Sequence, residues 1–525
     1  MAQEFKLKDV TSLQMKNGEK KEAEVEGVEG GKVLLLKVQD QVHATSPNCT
    51  HYGAPLVKGV LTPEGRLTCP WHGACFKVST GDVEDAPALD PIDKYEVIEN
   101  DGAVYVKTTE EALKAKRRHL NIKCSLVSDD KVLVIGGGSG TLGAIEGLRG
   151  GGYTGKITVI SKEGYQPIDR TKLSKALLAD ISKLAWRQKD FYKDGSIDII
   201  EDEAKSIDFS GKKVSTKSGK EYEYTKLVLA TGGTPRWLPL EGLKGDLGNV
   251  FLLRTLPDVQ NILKAVGDNG KKIVVIGSSF IGMEVGNCLA GMKNDGLLEK
   301  NGVKFKLSAG VDKATPSTAD ASKVGAVHLK DGTVLEADLV IEGVGVAPAT
   351  EYLKDNPSIT LLKDGSLKTD ESFAVEGLSG VYAIGDIATY PYHGPGGNGS
   401  PVRIEHWNVA QNAGRSVANT INNPGSKPKP FIPVFWSALG SQLRYCGNTM
   451  ASGYDDVVVQ GELEKPSFVA YYTKGETVVA VASMMKDPYM TQAAELMRRN
   501  KMPSKSELQK GVDILEISLP SEVKI

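Results

Sequence analysis

Four residues near the start of the chain carry side chains that bind transition metals, and they come as two mixed pairs. Cys49 stands two residues before His51, and Cys69 stands three residues before His72. Thiolates are the usual ligands of iron in iron–sulfur clusters, and neutral imidazoles also bind iron. Two thiolates and two imidazoles therefore suit a binuclear cluster in which each iron takes one kind of ligand.

Two other interpretations fit the same residues. A structural zinc ion can take two cysteines and two histidines, although its ligands more often come as one cysteine pair and one histidine pair. Alternatively, all four side chains only fill a core, which would require four separate coincidences. The residues alone favour iron and leave both alternatives open.

The segments around these pairs are more specific. Cys-Thr-His-Tyr-Gly-Ala-Pro-Leu begins at Cys49, and Cys-Pro-Trp-His-Gly-Ala-Cys-Phe begins at Cys69. Both segments resemble the cluster loops of Rieske proteins, and the resemblance covers most of residues 30–108. It implies a [2Fe–2S] cluster with Cys49 and Cys69 on one iron and His51 and His72 on the other.

A glycine-rich turn follows a charged linker. An apolar strand over residues 131–135 runs into Gly136 and Gly138, and a helix is predicted after them. Glycines at such a turn let the backbone approach a pyrophosphate at the helix N-terminus. Glu163, just beyond the second strand, is the candidate ligand of a ribose hydroxyl, with a solvated glutamate as the alternative.

Three later segments resemble those of flavoprotein reductases with two dinucleotide-binding domains. In the first, the resemblance implies that Arg170 contacts FAD and that Lys175 reaches the flavin edge, where a cation would stabilise the anionic reduced flavin. The second contains Thr231 and Gly232, and the third ends in Asp386, which would bind the ribitol chain. The order of these motifs predicts FAD as a cofactor.

A second glycine turn lies between the FAD segments, where that family places its NAD(P)H domain. It runs from Gly277 to Gly282 after an apolar strand. Glu284, on the following helix, is expected to contact Lys175, because relatives pair the matching glutamate with the flavin-edge lysine. A solvated helix glutamate is the alternative.

This second nucleotide-binding domain is short between residues 291 and 302. By comparison with that family, roughly thirty residues are absent, the size of one strand–helix unit. Either an exon was skipped or the chain is an isoform with an incomplete nucleotide pocket, and residues 303–307 could take the place of the missing strand. The choice between NADH and NADPH stays open.

The remaining segments complete a multidomain organisation. Trp436 lies in a Phe-Trp-Ser segment that resembles part of a small C-terminal domain; it is expected either against the isoalloxazine ring or in the core. The expected fold is an all-β Rieske domain, an α/β flavoprotein of the glutathione-reductase-like type with two dinucleotide-binding domains, and a small α+β domain. The predicted limits are Rieske domain 1–108, linker 109–130, FAD-binding domain 131–256 and 370–425, NAD(P)-binding domain 257–369, and C-terminal dimerisation-like domain 426–525.

The motifs together resemble apoptosis-inducing-factor-like FAD/NAD(P)-linked flavoprotein reductases with an N-terminal Rieske domain. The resemblance implies electron flow from NAD(P)H through FAD to the cluster and on to an unknown protein or small-molecule acceptor. Lys175 and Glu284 would tune the flavin, and His51 and His72, at the expected exposed edge of the cluster, would pass electrons onward. A redox-sensing or signalling flavoprotein with little turnover is the alternative.

Composition and net charge limit the partners and the location expected for the protein. The 525 residues carry a formal net charge of -2, so neither nucleic acid nor an anionic membrane is expected as a partner. No secretory signal or membrane-spanning run is found, so we expect a cytoplasmic protein, with a mitochondrial association left open.

Six cysteines are too few for a disulfide scaffold. The flavin half has no closely spaced cysteine pair, which disfavours a disulfide reductase. A homodimer is a further possibility.

Overall fold

The computed structural model of the chain describes residues 2–267, 270–291, 302–429, 431–438, 440–521 and 523. Within these ranges, the elements form an all-β part, an α/β unit into which a second α/β unit is inserted, and an α+β part. Short 3-10 helices lie at Leu56–Lys58, Glu351–Leu353, Gly385–Ile387 and Ile514–Glu516.

The first part is all-β, as expected. Its strands are β1 (Gln3–Lys6), β2 (Lys20–Glu24), β3 (Lys32–Val38), β4 (Gln41–Thr45), β5 (Val60–Leu61), β6 (Arg66–Thr68), β7 (Cys75–Lys77), β8 (Val83–Asp85), β9 (Lys94–Asn100) and β10 (Ala103–Thr108). They form a six-stranded sheet, β1-β10-β9-β4-β3-β2, and a four-stranded sheet, β5-β6-β7-β8. A short helix, α1 (Glu110–Ala115), follows.

Strand β3 joins the two halves of this domain because both of its faces are buried. Successive side chains of a strand point to opposite faces. Val33 and Leu35 therefore enter one core, while Leu34 and Leu36 enter the core beneath the two cysteine loops. This second core is what supports the cysteine loops from below.

The next part begins with an α/β unit. Its strands are β11 (Lys131–Ile135), β12 (Lys156–Ser161), β13 (Ile197–Glu201), β14 (Ala204–Asp208), β15 (Lys213–Thr216), β16 (Glu221–Glu223), β17 (Lys226–Leu229) and β18 (Gly233–Pro235). Its helices are α2 (Ser139–Gly150), α3 (Thr171–Lys175), α4 (Ile181–Leu184) and α5 (Lys189–Asp194). Strands β11, β12, β13 and β17 pair in parallel, so their carboxyl ends share one edge.

A second α/β unit is inserted after it. Its elements are β19 (Val250–Phe251), α6 (Leu256–Val266), β20 (Ile273–Ile276), α7 (Phe280–Gly291), β21 (Val311–Pro316), β22 (Val324–Leu329), β23 (Val334–Glu336), β24 (Leu339–Glu342) and β25 (Val346–Pro348). A parallel sheet, β19-β24-β20, packs beside an antiparallel one, β21-β22-β23.

In the described ranges, β20 is an edge strand of the parallel sheet of the inserted unit. All four residues of β20 are only half-buried, whereas four of the five residues of β11 are buried. The expected missing strand–helix unit falls on residues 291–302, of which 292–301 lie outside the described residues. Residues 303–307 form no strand, so they do not take its place.

The chain then returns to the first α/β unit through β26 (Leu367–Lys368), β27 (Val381–Ala383), β28 (Ala388–Tyr392), β29 (Ser400–Val402) and α8 (Trp407–Asn422). The parallel sheet is completed in the order β13-β12-β11-β17-β27. Helices α2 and α8 cross closely, because a Cβ at Gly143 would strike the carbonyl of Gln411 and one at Gly414 would strike the carbonyl of Gly140.

The last part is α+β, as expected. Its strands are β30 (Val434–Ala438), β31 (Gln442–Gly447), β32 (Asp456–Glu462), β33 (Ser467–Lys474) and β34 (Thr477–Met484), and its helices are α9 (Tyr489–Arg498) and α10 (Lys505–Gln509). The sheet order is β30-β31-β34-β33-β32. Nowhere in the described ranges is a helix both long enough and apolar enough to span a bilayer.

A buried group of ion pairs fastens the first part of the chain to the last. Arg66, on β6, donates from Nε to the carboxylate of Glu495, on α9, at 2.8 Å. Arg499 binds the same carboxylate and also pairs with Glu64. Because Arg66, Glu495 and Arg499 are all less than 9% exposed, removing the charge of Glu495 would leave two buried guanidinium groups short of a partner. Arg66 would keep Glu84 and Asp85, and Arg499 would keep Glu64.

We expect Glu495→Gln to weaken the attachment of the first domain by ~3 kcal/mol at pH 7. Burial by itself would raise the pKa of Glu495, but Arg66, Arg498 and Arg499 outweigh it and bring the pKa to about 2. An unfolded glutamate titrates near pH ~4.3, so this stabilisation is complete above that pH and is lost as the pH falls toward ~2. Denaturant unfolding at pH 7, followed through the visible absorption of the first domain, measures the loss.

Glu462→Gln is the matched control. Glu462 pairs with Lys465 at 2.9 Å on the surface, where both side chains are well exposed, and such pairs contribute at most ~1 kcal/mol. Equal losses in the two variants would show that the buried group does not hold the domains together.

Candidate redox site

The two cysteine loops have the same backbone design. In each, the cysteine N–H donates to the carbonyl five residues later, and the N–H of the glycine four residues after the cysteine donates to the cysteine carbonyl: Cys49 with Ala54 and Gly53, Cys69 with Ala74 and Gly73. The two glycines have φ values of 78° and 71°, the left-handed region that glycine enters without strain. The repeated motif therefore folds twice into the same tight loop.

The four donor side chains separate into a sulfur pair and a nitrogen pair. The buried thiols of Cys49 and Cys69 hydrogen-bond to each other, and the Nδ1 atoms of His51 and His72 lie 3.0 Å apart. In the described part of the chain, no three metal-binding side chains surround one point. One tetrahedral zinc ion would need all four donors together, whereas a binuclear cluster takes one pair at each iron. The donor set fits the binuclear cluster.

The imidazoles are held in the form that binds iron. Burial, assisted by the nearby cations Lys172 and Lys175, lowers the pKa of His51 to about 3. Burial also lowers the pKa of His72 well below its usual value. Both rings are therefore neutral at pH 7, and neutral imidazole is the ligand form.

The expectation that both imidazoles lie at an exposed edge was wrong for His72, while His51 is partly exposed. His72 is only 8% exposed, and its ring centroid lies 4.6 Å from that of Trp436, on β30. Tyr52, next to His51, donates a hydrogen bond to Asp169, just before α3. The imidazole edge thus faces the flavoprotein part, because strand β30 and the segment before α3 cover it.

Aromatic rings fill the remaining space around His51. Tyr52 stacks on it with the ring centroids 4.0 Å apart, and Trp186 lies 5.7 Å away. Trp407 stacks on Trp186 at 5.3 Å. Neither Trp186 nor Trp407 belongs to a motif identified in the sequence. Trp436 packs in the core of the C-terminal sheet as well as against His72, which fits the core alternative.

The predicted FAD turn lies at the carboxyl edge of the first parallel sheet. Gly136 has a φ of 113°, and a Cβ there would strike the carbonyl oxygen of Ala230. Gly138 immediately precedes α2. Thr231 and Gly232 follow β17 at the same edge, because β11 and β17 are parallel. The structure therefore brings these four predicted residues together.

The charged residues predicted for FAD form a connected group. Arg170 pairs with Glu163 at 2.6 Å and also donates to the carbonyl of Arg254 at 2.9 Å. Arg254 in turn pairs with Asp386 at 2.7 Å. Arg254 belongs to no motif in the sequence, and only its position in space reveals it.

The expected contact between Lys175 and Glu284 is present. Lys175 Nζ lies 3.6 Å from Glu284 Oε1. Glu284 is only 6% exposed, so it is not a solvated helix glutamate. Its carboxylate accepts hydrogen bonds from Ser174 at 2.5 Å and Ser437 at 2.8 Å. Both serines lie beside residues that the sequence singled out, Lys175 and Trp436, but sequence reasoning gave neither serine a role.

The second glycine turn occupies the matching edge of the inserted unit. Gly277 has a φ of 107°, and a Cβ there would strike the carbonyl oxygen of Gly343. A Cβ at Gly282 would likewise strike the carbonyl oxygen of Gly277. Glu342, at the end of β24, is 3% exposed; it accepts from the Leu238 N–H at 2.8 Å, while its Oε1 has no hydrogen-bond partner. The sequence reads as an ordinary strand there, so Glu342 was missed.

All six cysteines are free thiols. Cys446 is buried in the C-terminal core, and Cys124 and Cys288 are partly exposed. The flavin half therefore has no cysteine pair with which to reduce a disulfide.

Three family models match the chain in succession. Residues 5–96 match the Rieske [2Fe-2S] domain, residues 130–297 and 289–414 match the pyridine nucleotide-disulphide oxidoreductase model, and residues 434–515 match the reductase C-terminal model. The two middle matches overlap at residues 289–297, next to the segment in which the sequence predicts a missing unit.

Individual proteins agree with these models. Apoptosis-inducing factor 3 of Homo sapiens is 35% identical over 94% of this chain and 84% of its own length. Rubredoxin-NAD(+) reductase of Ectopseudomonas oleovorans is 30% identical over 67% of this chain and 95% of its own. The solved covalent putidaredoxin reductase–putidaredoxin complex matches with a TM-score of 0.66 and 28% identity, over 74% of this chain and 98% of that one.

The predicted cofactors are thereby confirmed as a [2Fe–2S] cluster, FAD and NAD(P)H. The chain belongs to the pyridine nucleotide-disulphide oxidoreductase family and is an FAD-dependent oxidoreductase that carries a Rieske domain at its N-terminal side.

Proposed function

We propose that this protein passes electrons from NAD(P)H through FAD to the Rieske cluster of its own chain, and from there to a protein or small-molecule acceptor. The observation that carries the proposal is the buried contact of His72 with Trp436. When bound, the flavin takes up two electrons as a hydride and the cluster takes one electron at a time. The domain limits predicted from the sequence are part of this proposal.

A short series of contacts links the flavin-edge lysine to the cluster loops. Lys175 pairs with Glu284, and Glu284 accepts from Ser437. Ser437 follows Trp436 on β30, and Trp436 contacts His72. Lys175 is also near enough to lower the pKa of both imidazoles. Electrons therefore have only a short distance to cover between the two centres.

The residues around this series hold charges in place and keep water out. Lys175 supplies a positive charge for the reduced flavin, and Glu284 partly offsets it from a fixed position between two serines. The stacked rings of Tyr52, Trp186 and Trp407 fill the space beside His51. With water excluded, charges act more strongly on each other than in solvent.

One of the solved relatives supports this arrangement. In it, a reductase is covalently joined to a second protein, putidaredoxin. In the present chain, the Rieske domain is joined to the reductase by the polypeptide itself. We therefore infer that the Rieske domain is the first partner of the flavin.

A second candidate function is redox sensing with little turnover. The half-buried strand β20 favours it, because the sheet that should bind the nucleotide is covered less completely than the first one. With a poorly built nucleotide pocket, NAD(P)H would reduce the flavin only slowly.

Anaerobic stopped-flow mixing with NADH and with NADPH separates the two functions. We expect the flavin absorption to bleach first and the cluster absorption to decrease afterwards. Cys49→Ser removes a cluster ligand and should abolish the second phase while leaving the first intact. Cys124→Ser, which changes a partly exposed linker thiol, should retain both phases. If neither nucleotide bleaches the flavin, the electron-transfer function is rejected and the result supports redox sensing.

The charges at the flavin edge predict opposite shifts in reduction potential. Glu284→Gln removes a negative charge and should raise the potential of the bound flavin, whereas Lys175→Met removes a positive charge and should lower it. Each shift is expected to be about 30 mV or more, which corresponds to ~1.4 kcal/mol for a two-electron couple. Spectroelectrochemical titration measures both. Shifts in the same direction would place this pair away from the flavin.

Glu342 predicts a pH dependence in the nucleotide-binding unit. Burial raises its pKa to about 7, although the Leu238 N–H acts in the opposite direction. A raised carboxyl pKa means that the folded state keeps a proton that the unfolded state has lost, so the stabilisation present below pH ~4.3 disappears as the pH rises through ~7.

Hydrogen-exchange protection of β20 and β24, corrected for the intrinsic rate, checks this effect. Protection in the wild type should decrease roughly tenfold or more between pH 5.5 and 8, in line with a shift of more than one pKa unit. Glu342→Gln, which is neutral throughout, should show no such decrease. The same decrease in both proteins would rule out Glu342 as its source.

A further inference from the structure

A cavity of about 800 Å³ lies where three parts of the chain meet. Its walls come from β8 of the Rieske domain, from helices α2 and α8 and strand β28 in the FAD-binding unit, and from residues 427–429 and 431 of the connector. Pockets that hold small organic ligands have volumes of roughly 300–1,000 Å³ and often lie between domains. The cavity has the size and the location of such a pocket.

This cavity is separate from the predicted cofactor sites. The FAD turn at Gly136 and Gly138 precedes α2, whereas the cavity borders Gly147, Gly150 and Gly151 at the other end of that helix. A twelve-residue helix is roughly 18 Å long. The cavity therefore opens on the far side of the FAD-binding unit.

Four of the five acidic residues of the cavity are balanced by arginine or lysine, and the fifth pairs with a histidine. Each of the five pairs with a basic side chain: Asp82 with Arg118, Glu84 with Arg66, Asp85 with Lys429, Glu146 with Arg187, and Glu371 with His393. Burial, only partly offset by Arg187, also raises the pKa of Glu146. A cationic ligand would thus find little unbalanced negative charge.

Two cations of the wall, Arg415 and the exposed Lys427, form no ion pair within the described residues, and of these Arg415 is the less exposed. Asp85 and Glu146 act on the charge of Arg415 from a distance. Arg415 projects from α8 and donates one hydrogen bond, from Nη2 to the carbonyl oxygen of Val83 at 2.8 Å. Across the described ranges, no carboxylate forms an ion pair with it, and burial lowers its pKa. A guanidinium presents five donors in a plane, suited to a carboxylate, and here most of them have no acceptor.

The rest of the wall is largely apolar. It includes two leucines, two phenylalanines and a proline: Leu89, Leu120, Phe373, Phe431 and Pro91. Apolar walls with a few convergent polar groups are typical of pockets that bind the flat body of an organic molecule and fix its orientation through one charged group.

We propose that this cavity binds a small organic anion, an aromatic carboxylate, with the carboxylate on Arg415 and the ring among the apolar residues. Such a ligand would touch the Rieske domain, the FAD-binding unit and the connector to the C-terminal domain at once. Binding of this ligand does not depend on electron transfer, so a test of the site is independent of any test of the proposed function.

Titration calorimetry on the oxidised protein, with FAD and the cluster bound, tests the proposal with 1-naphthoate as the probe. Saturable binding is expected, with the neutral analogue 1-naphthylmethanol binding about tenfold more weakly or worse, because it lacks the charged hydrogen bond. Arg415→Leu should weaken naphthoate binding to a similar degree and leave naphthylmethanol unaffected.

Two further variants complete the design. A Cβ at Gly150 would meet only Leu120, at 3.6 Å, so Gly150→Leu should project a side chain into the cavity beside Leu120 and weaken binding of both probes without removing a charge. Lys363→Leu removes an exposed cation that does not line the cavity and should bind both probes as the wild type does.

The proposal is overturned if the wild type shows no saturable binding of naphthoate, or if Arg415→Leu binds it as tightly as the wild type. Visible absorption of the flavin and the cluster shows whether each variant has folded. If Arg415→Leu does not fold, Gly150→Leu decides, and undiminished naphthoate binding by that variant rejects the site.

Discussion

The burial of two imidazoles against the flavoprotein is the contact on which the rest of this structure depends. His51 and His72 form the nitrogen side of the cluster site, and Trp436 closes over them from the C-terminal domain. This edge is covered by β30 and by the segment before α3, so His72 faces the flavoprotein part of the chain. The covered edge is the basis for the proposal that the Rieske domain works as a fixed part of the enzyme and not as a carrier that meets it in solution.

Keeping that contact requires the domains to be held in one orientation. Arg66, Glu495 and Arg499 do this with buried charges, which contribute less to net stability than to a defined arrangement, since mispaired charges in a dry interface are very unfavourable. Apolar packing between the aromatic rings adds the favourable burial. Within the described residues, strand β20 of the inserted nucleotide-binding unit is only half-buried, so this unit is covered less completely than the cluster site.

Sequence reasoning succeeded where the determinants are local. The predicted cluster ligands lie in two short loops with the same backbone hydrogen bonds, and the glycine turns follow directly after apolar strands, so short segments point to both, with the resemblance to Rieske loops supplying the ligand set. The contact of Lys175 with Glu284 came from a family resemblance, since nothing local joins residues so far apart in the chain. Arg254 and Ser437, and the direction in which the imidazoles face, depend on how the domains pack, and no short segment encodes that.

The most direct test of fixed docking is the dependence of cluster reduction on protein concentration. After rapid anaerobic mixing with excess reduced nucleotide, the rate constant for the cluster phase should stay the same over a hundredfold range of protein concentration, because the flavin and the cluster of one chain react with each other. A rate constant that rises in proportion to protein concentration would mean that electrons pass between molecules, and would contradict the buried arrangement of His72 and Trp436 as the route.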